Sequence, residues 1–216
     1  MKHMKIACAG DSITDCGCVK PPVFKPYTMI HELGYGYVAF LFGTMNVLHP
    51  GDPIHVLNHG VSGDRTIQLF DRFDQVLAEK PDILTIMIGV NDVWVEFNMP
   101  DRKDVHIHPQ EYEVLMRVMV EKALTVVRRV VLISPFHLQP SSHPFRIELK
   151  KRQDVLQKIT KEHRVRYLDI QSKFDMLTEK TGIPFLSHDS IHVNAIGQML
   201  IANELLQALN DEDREK

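Results

Sequence analysis

Four short polar stretches of the chain hold residue types that can carry out acyl transfer. They are Gly10-Asp11-Ser12, Gly60-Val61-Ser62-Gly63, Gly89-Val90-Asn91-Asp92 and Asp189-Ser190-Ile191-His192. A serine hydroxyl is a poor nucleophile until a base takes its proton. Histidine suits that task because its ordinary pKa lies near working pH, and a carboxylate usually orients the imidazole. Ser12 is the candidate nucleophile, His192 the candidate base and Asp189 the orienting acid. The spacing of three between Asp189 and His192 lets both side chains lie on one side of a turn-like loop. The tetrahedral intermediate carries an oxyanion, which needs aimed donors. The backbone N–H groups of Ser12 and Gly63 and the side-chain amide of Asn91 are the candidates. Each residue also has a plainer reading. Ser12 or Asn91-Asp92 could cap a helix, Gly60 and Gly63 could serve positive φ, and His192 could be an ordinary surface histidine.

The elements around these stretches decide between the two readings. Lys5 to Ala9 reads as a short buried strand, Ile54 to Asn58 as a second and Ile83 to Ile88 as a third. The third is a nearly continuous apolar run, as a central parallel strand requires. Val130 to Ile133 and Val165 to Asp169 complete the set. Helical patterns alternate with the strands, from Tyr35, Arg65 to Glu79, Pro109 to Arg128, Phe145 to His163, then on to Thr181, and Asn194 to Leu209. The expected fold is a three-layer α/β/α sandwich on a flavodoxin-like parallel sheet of about five strands in the order 2-1-3-4-5, forming one domain over residues 1–216. Three of the polar stretches directly follow strands one to three, so they open on the edge where such sheets bind ligands. The fourth reaches that edge from the connection after strand five. Two long loops are expected, Asp15 to Gly34 and Val93 to His108, and the charged tail from Asn210 should fray.

Composition narrows the classes. The 216 residues are 44% hydrophobic and 25% charged, with a formal net charge of -3. Nothing in that balance calls for nucleic acid or an anionic membrane as partner. No apolar run of about 18 residues spans a bilayer, and the apolar stretch at the start is too short for a secretory signal, so the cytoplasm is the expected location. Three cysteines, Cys8, Cys16 and Cys18, are too few for a disulfide framework, and Cys16 and Cys18 have no second ligand pair at zinc spacing. No metal or cofactor is expected.

The four stretches, in this order and over nearly the whole chain, resemble the blocks of the SGNH, or GDSL-type, hydrolase family. The resemblance implies Ser12 as nucleophile, His192 as base and Asp189 as third member of the triad, with Ser12, Gly63 and Asn91 as the oxyanion hole. Within that family the chain is similar to intracellular bacterial carbohydrate acetyl esterases of the acetyl xylan esterase type. That likeness rests on Asp11 to Gly17, Gly36-Tyr37-Val38-Ala39, Asn91-Asp92-Val93-Trp94 and Glu111-Tyr112-Glu113. It implies a homo-oligomer that removes acetyl groups from sugars. The resemblance makes Asp11 a structural neighbour of the nucleophile; it is also set with Trp94 among the candidate substrate-binding residues.

The expected activity is therefore that of a serine esterase acting on a small-molecule ester, an acetylated sugar or xylo-oligosaccharide. A lysophospholipase or thioesterase of the same family is the first alternative. It needs a long apolar channel, which loops rich in proline or in charge do not offer. A non-catalytic flavodoxin-like binding module, with a phosphate held at Ser12-Ile13-Thr14, is the second. That loop lacks the glycine spacing of a phosphate cradle, and the module leaves Asp189 and His192 without a role.

Overall fold

A computed structural model describes residues 4–19 and 32–211. Five strands form one parallel sheet: β1 (Lys5–Gly10), β2 (His55–Gly60), β3 (Ile83–Met87), β4 (Arg129–Ile133) and β5 (Arg166–Leu168). Their order is β2-β1-β3-β4-β5, as expected from the pattern. The helices described in full are α1 (Ser12–Asp15), α2 (Tyr37–Leu48), α3 (Thr66–Asp71), α4 (Phe73–Ala78), α5 (Val90–Asn98), α6 (Pro109–Leu124), α7 (Pro144–Glu162), α8 (Ile170–Thr181) and α9 (Ala195–Asp211).

Side chains alternate across the sheet because a strand has a period of two. Ile6 and Cys8 of β1, Ile83 and Met87 of β3, and Val131 and Ile133 of β4 face α2, α8 and α9, where Tyr37, Leu41, Phe174, Ile201 and Leu205 meet them. Ala7 and Ala9, Leu84 and Ile86, and Val130 and Leu132 face the opposite layer of Leu69, Phe73, Tyr112, Met116, Leu156 and Ile159. A strand covered on both faces must be apolar at every position, and all five residues of β3 are buried. Proline opens α6 and α7 at Pro109 and Pro144, where its missing N–H leaves no orphan.

The register places the ends of the three central strands level. Gly10 pairs with Gly60 on one side and Met87 on the other. The polar stretches that follow therefore leave the sheet from a single row. Two buried tyrosines hold these exits: the Tyr37 hydroxyl meets Thr14 Oγ1 at 3.0 Å, and the Tyr112 hydroxyl donates to the Ile88 carbonyl at 3.1 Å, just before Gly89.

Three expectations change. The pattern from Arg65 to Glu79 is two helices and not one, broken at Arg72. The expected loop from Val93 is helical up to Asn98, because Val90 and Val93 bury one face of a helix that starts directly at Gly89. The last helix runs past Leu209 to Asp211. Most of the segment Asp15 to Gly34 lies outside the described residues, as do residues 212–216. Among the described residues, no helix is long and apolar enough to cross a membrane.

Candidate active site

Ser12 stands at the start of the short α1, two residues beyond the end of β1. The turn is capped by Asp11, whose carboxylate accepts from Ile13 N–H at 3.0 Å, so the capping role that Ser12 could have filled belongs to its neighbour. Freed from the backbone, the Ser12 hydroxyl meets His192 Nε2 at 2.8 Å. The other ring nitrogen, Nδ1, lies 2.6 Å from Asp189 Oδ2. Hydroxyl, imidazole and carboxylate thus form one continuous hydrogen-bonded line. Both Asp189 and His192 keep about half their side-chain surface open, at 52% and 58%, so a substrate reaches the line from solvent.

The loop holding the acid and base is built by its own polar groups. The second oxygen of the carboxylate, Asp189 Oδ1, accepts from the backbone N–H of Ile191 at 3.0 Å and of His192 at 2.8 Å, and from the Ser187 hydroxyl at 3.0 Å. Ser187 Oγ in turn accepts from the backbone N–H of Asp189 and Ser190. Partial burial works to raise the Asp189 pKa. The hydrogen bonds from the His192 ring, the two backbone N–H groups and Ser187 outweigh it and hold the carboxyl far below the usual range. Asp189 therefore stays ionised against His192. Ser190 sits at φ 67, in the left-handed region that a non-glycine residue seldom takes. Its carbonyl accepts from Leu138 N–H at 2.9 Å and its hydroxyl from Gln139 Nε2 at 2.9 Å, which pins that conformation.

The candidate oxyanion donors leave the same row of strand ends. Gly63 has φ +85, which explains its glycine by backbone conformation; the space beside it is open. Gly60 has a different reason from the positive φ expected of it: a Cβ there would stand 2.1 Å from the backbone nitrogen of Asp15. Asn91 lies in the first turn of α5 and donates one amide hydrogen to the Asp64 carbonyl at 2.9 Å, tying its stretch to that of Gly63. Its second amide hydrogen remains for a ligand. Asp92 is fully buried and accepts from the Thr66 N–H and hydroxyl, fastening α5 to the start of α3. Burial raises its carboxyl from the ordinary 3.8 to about 6, against the lowering effect of the Thr66 bonds.

The two candidate substrate-binding residues part company. Trp94, one turn beyond Asn91, is 39% exposed. Asp11 is 1% exposed and its carboxyl is engaged with Ile13. It stands behind the nucleophile and offers substrate nothing, so its place among the substrate-binding residues is corrected. Burial first, then the nearby Asp92 carboxylate, raise its pKa to about 7, while the Ile13 N–H opposes them. Ser187 and Gln139 escaped the sequence reading. Ser187, two residues before Asp189, carried a local signal as an Asx- or ST-type turn residue. Gln139 carried none, because its bond to Ser190 spans the fold.

A serine–histidine–carboxylate line at the carboxyl edge of a flavodoxin-like sheet is the arrangement of a hydrolase of the α/β class. The family model for the GDSL-like lipase/acylhydrolase family matches residues 8–200. The chain belongs to that family and is a GDSL-type esterase. It is 32% identical over 210 residues to an acetylxylan esterase of Geobacillus stearothermophilus, covering 96% of this chain and 94% of that one. The solved structure of Axe2, an acetylxylan esterase from that organism, is 31% identical and superimposes with a TM-score of 0.89 over 96% of this chain and 94% of Axe2. Solved forms of Axe2 include catalytic mutants in which a serine, an aspartate or a histidine is changed to alanine, the last two lying three residues apart. LAE5, an α/β hydrolase enzyme from the metagenome of Lake Arreo, is 31% identical with a TM-score of 0.90, over 95% of this chain and 94% of LAE5.

Proposed function

We propose that this esterase removes acetyl groups from acetylated sugars, xylo-oligosaccharides among them, through an acyl-enzyme formed on Ser12. The observation that carries the reading is the unbroken line from Ser12 Oγ through His192 to Asp189, at 2.8 and 2.6 Å. His192 Nε2 takes the hydroxyl proton as Oγ attacks the ester carbon. Asp189, held ionised, stabilises the imidazolium that results. The oxyanion is received by the Ser12 and Gly63 N–H groups and the free amide hydrogen of Asn91. Collapse breaks the ester C–O bond, and His192 passes its proton to the departing sugar hydroxyl. Water then attacks the acyl-serine, giving its proton to His192, and acetate leaves as the proton returns to Oγ.

The sugar reading draws support from the likeness to acetylxylan esterases and from the character of α5. Trp94 and Phe97 are exposed there at 39% and 41%, on a helix that also carries Asn91. An aromatic face suits the apolar face of a sugar ring. Trp94 would serve as that platform. The substrate is a small molecule; neither nucleic acid nor membrane is a partner. A homo-oligomer is favoured by an apolar surface where Phe40, Leu177, Ile196, Met199 and Leu200 come together. The location proposed is the cytoplasm.

The test is acetate release from acetylated xylo-oligosaccharides beside octanoyl esters. On this reading acetyl esters should win by at least about a hundred-fold in kcat/KM, since a site fitted to an acetyl group rejects added methylenes by overpacking. Equal or better rates on octanoyl esters would move the substrate class to lipids.

A further inference from the structure

The break between α3 and α4 falls on Arg72, at φ -103 and ψ 7, and this residue reaches back to the active-site edge. Its guanidinium is partly buried and makes two bonds. Nε donates to Asp64 Oδ2 at 2.7 Å, and Nη2 donates to the Gly10 carbonyl at 3.1 Å. The side chains of Arg72 and Asp64 are only 18% and 10% exposed. Gly10 is the last residue of β1, two before Ser12, and its carbonyl also accepts from Val61 N–H at 3.0 Å. Asp64 follows Gly63, and its own carbonyl is the acceptor for Asn91 Nδ2 at 2.9 Å. One arginine and one aspartate therefore join the three segments that carry Ser12, Gly63 and Asn91.

We infer that Arg72, acting through Asp64, is the positioning residue that sets the spacing of the three oxyanion donors. The inference rests on the serine-esterase reading and adds to it a residue remote from the reacting atoms. An oxyanion hole works because its donors are already aimed where charge will develop. Two of the three donors are backbone N–H groups on different loops, so nothing within either loop fixes their separation. The Val61 N–H on the Gly10 carbonyl ties the two segments at one point, and the planar guanidinium fork adds a second tie, because its two N–H vectors bond the Asp64 carboxylate and the Gly10 carbonyl together. A lysine ammonium is a single point with three rotatable donors, so it holds neither acceptor at a fixed angle. A donor misaimed by a fraction of an ångström loses its preference for the tetrahedral state but still leaves the planar substrate room to bind. Loss of the brace therefore appears in kcat and leaves KM nearly unchanged.

The test uses the full-length protein with Arg72→Ala, Arg72→Lys and Asp64→Asn. An aryl acetate gives kcat and KM, a simple boronic acid mimics the tetrahedral adduct, and thermal unfolding checks the fold. Arg72→Ala should lose about ten- to a hundred-fold in kcat, the scale of a misplaced catalytic group, with KM within about two-fold. Its affinity for the boronic acid should fall by a similar factor. Arg72→Lys should recover part of the loss, and Asp64→Asn should lose less than Arg72→Ala because the amide oxygen still accepts from Nε. The acid limb of the pH profile should stay in place, since Arg72 makes no bond to His192 or Asp189. If Arg72→Ala does not fold, Arg72→Lys and Asp64→Asn carry the same split. Folded variants with unchanged kcat and boronic acid affinity, or with a raised KM alone, overturn the inference. Activity that survives Ser12→Ala would instead overturn the esterase reading beneath it, whatever Arg72 does.

Discussion

Ser12, His192 and Asp189 depend on one another, and each makes a separate experimental claim. Ser12→Ala should leave the fold intact and the rate at no more than about a thousandth of wild type, the residue left by binding and the oxyanion donors alone. Asn91→Ala should lower kcat by roughly a hundred-fold or more with little change in KM, because its free hydrogen acts mainly on the tetrahedral state. A rise in KM alone would make Asn91 a ground-state binding residue. The pH profile distinguishes the acid from the base. Asp189 is held far below the ordinary carboxyl range by the His192 ring, two backbone N–H groups and Ser187, so it stays ionised over the whole assay range. The acid limb of kcat/KM should then carry no proton from Asp189. A limb steep enough for two protons would place a second titrating group in the mechanism. These residues were legible because each follows a strand or shares a short loop with its partner. Asp11 was only half legible: its proximity to Ser12 was plain, while its burial came from the turn it caps.

At the scale of elements, the account turns on how α5 is held. Its first turn carries Asn91, Asp92 ties that turn to Thr66 of α3, and its last turns meet α7 through Glu96 and Arg152. Arg152 is wholly buried, bonds Glu96, and donates to the Ile107 carbonyl at 2.8 Å. Removing one partner of a buried pair leaves an uncompensated charge. Arg152→Ala should cost about 3–5 kcal/mol by denaturant unfolding, whereas Arg152→Met with Glu96→Gln should cost clearly less. Similar losses for the two would show that packing, and not charge, governs the site. The part from Val93 was read as a loop because Val93 and Val95 lower helix propensity and the true N-cap, Gly89, has no capping side chain, while the candidate cap Asn91-Asp92 lies inside the first turn. The spacing of three between Val90 and Val93 was the available signal. Arg72 was hidden for a different reason. It lies inside a continuous helical pattern, and its bonds to Asp64 and Gly10, the latter 62 positions away, form only once the chain has folded.

The molecule as a whole places two buried carboxyls, Asp11 and Asp92, directly behind its catalytic edge. Burial raises their pKa values to about 7 and about 6, above the roughly 3.9 of an unfolded aspartate. The folded state thus holds their protons more tightly than the unfolded chain does. The stability this gives is fully present below about pH 4 and is lost as pH rises through the folded values. The melting temperature should fall between about pH 4 and about pH 7. Asp11→Asn, which keeps an acceptor for Ile13 N–H, should flatten the fall; an unchanged slope would remove Asp11 as its source. The sheet order and the shared edge were readable from alternation and from polar stretches that each follow an apolar run. The tethers were not, since Gln139, Asp92 and Arg152 find partners only once distant elements pack. The central claim, that one serine at this edge is the nucleophile, is tested most directly by labelling the intact protein with a fluorophosphonate and mapping the adduct by peptide mass spectrometry. A single adduct on Ser12, lost in His192→Ala, is the result expected. An adduct on another residue, or none on a protein that hydrolyses esters, would contradict it.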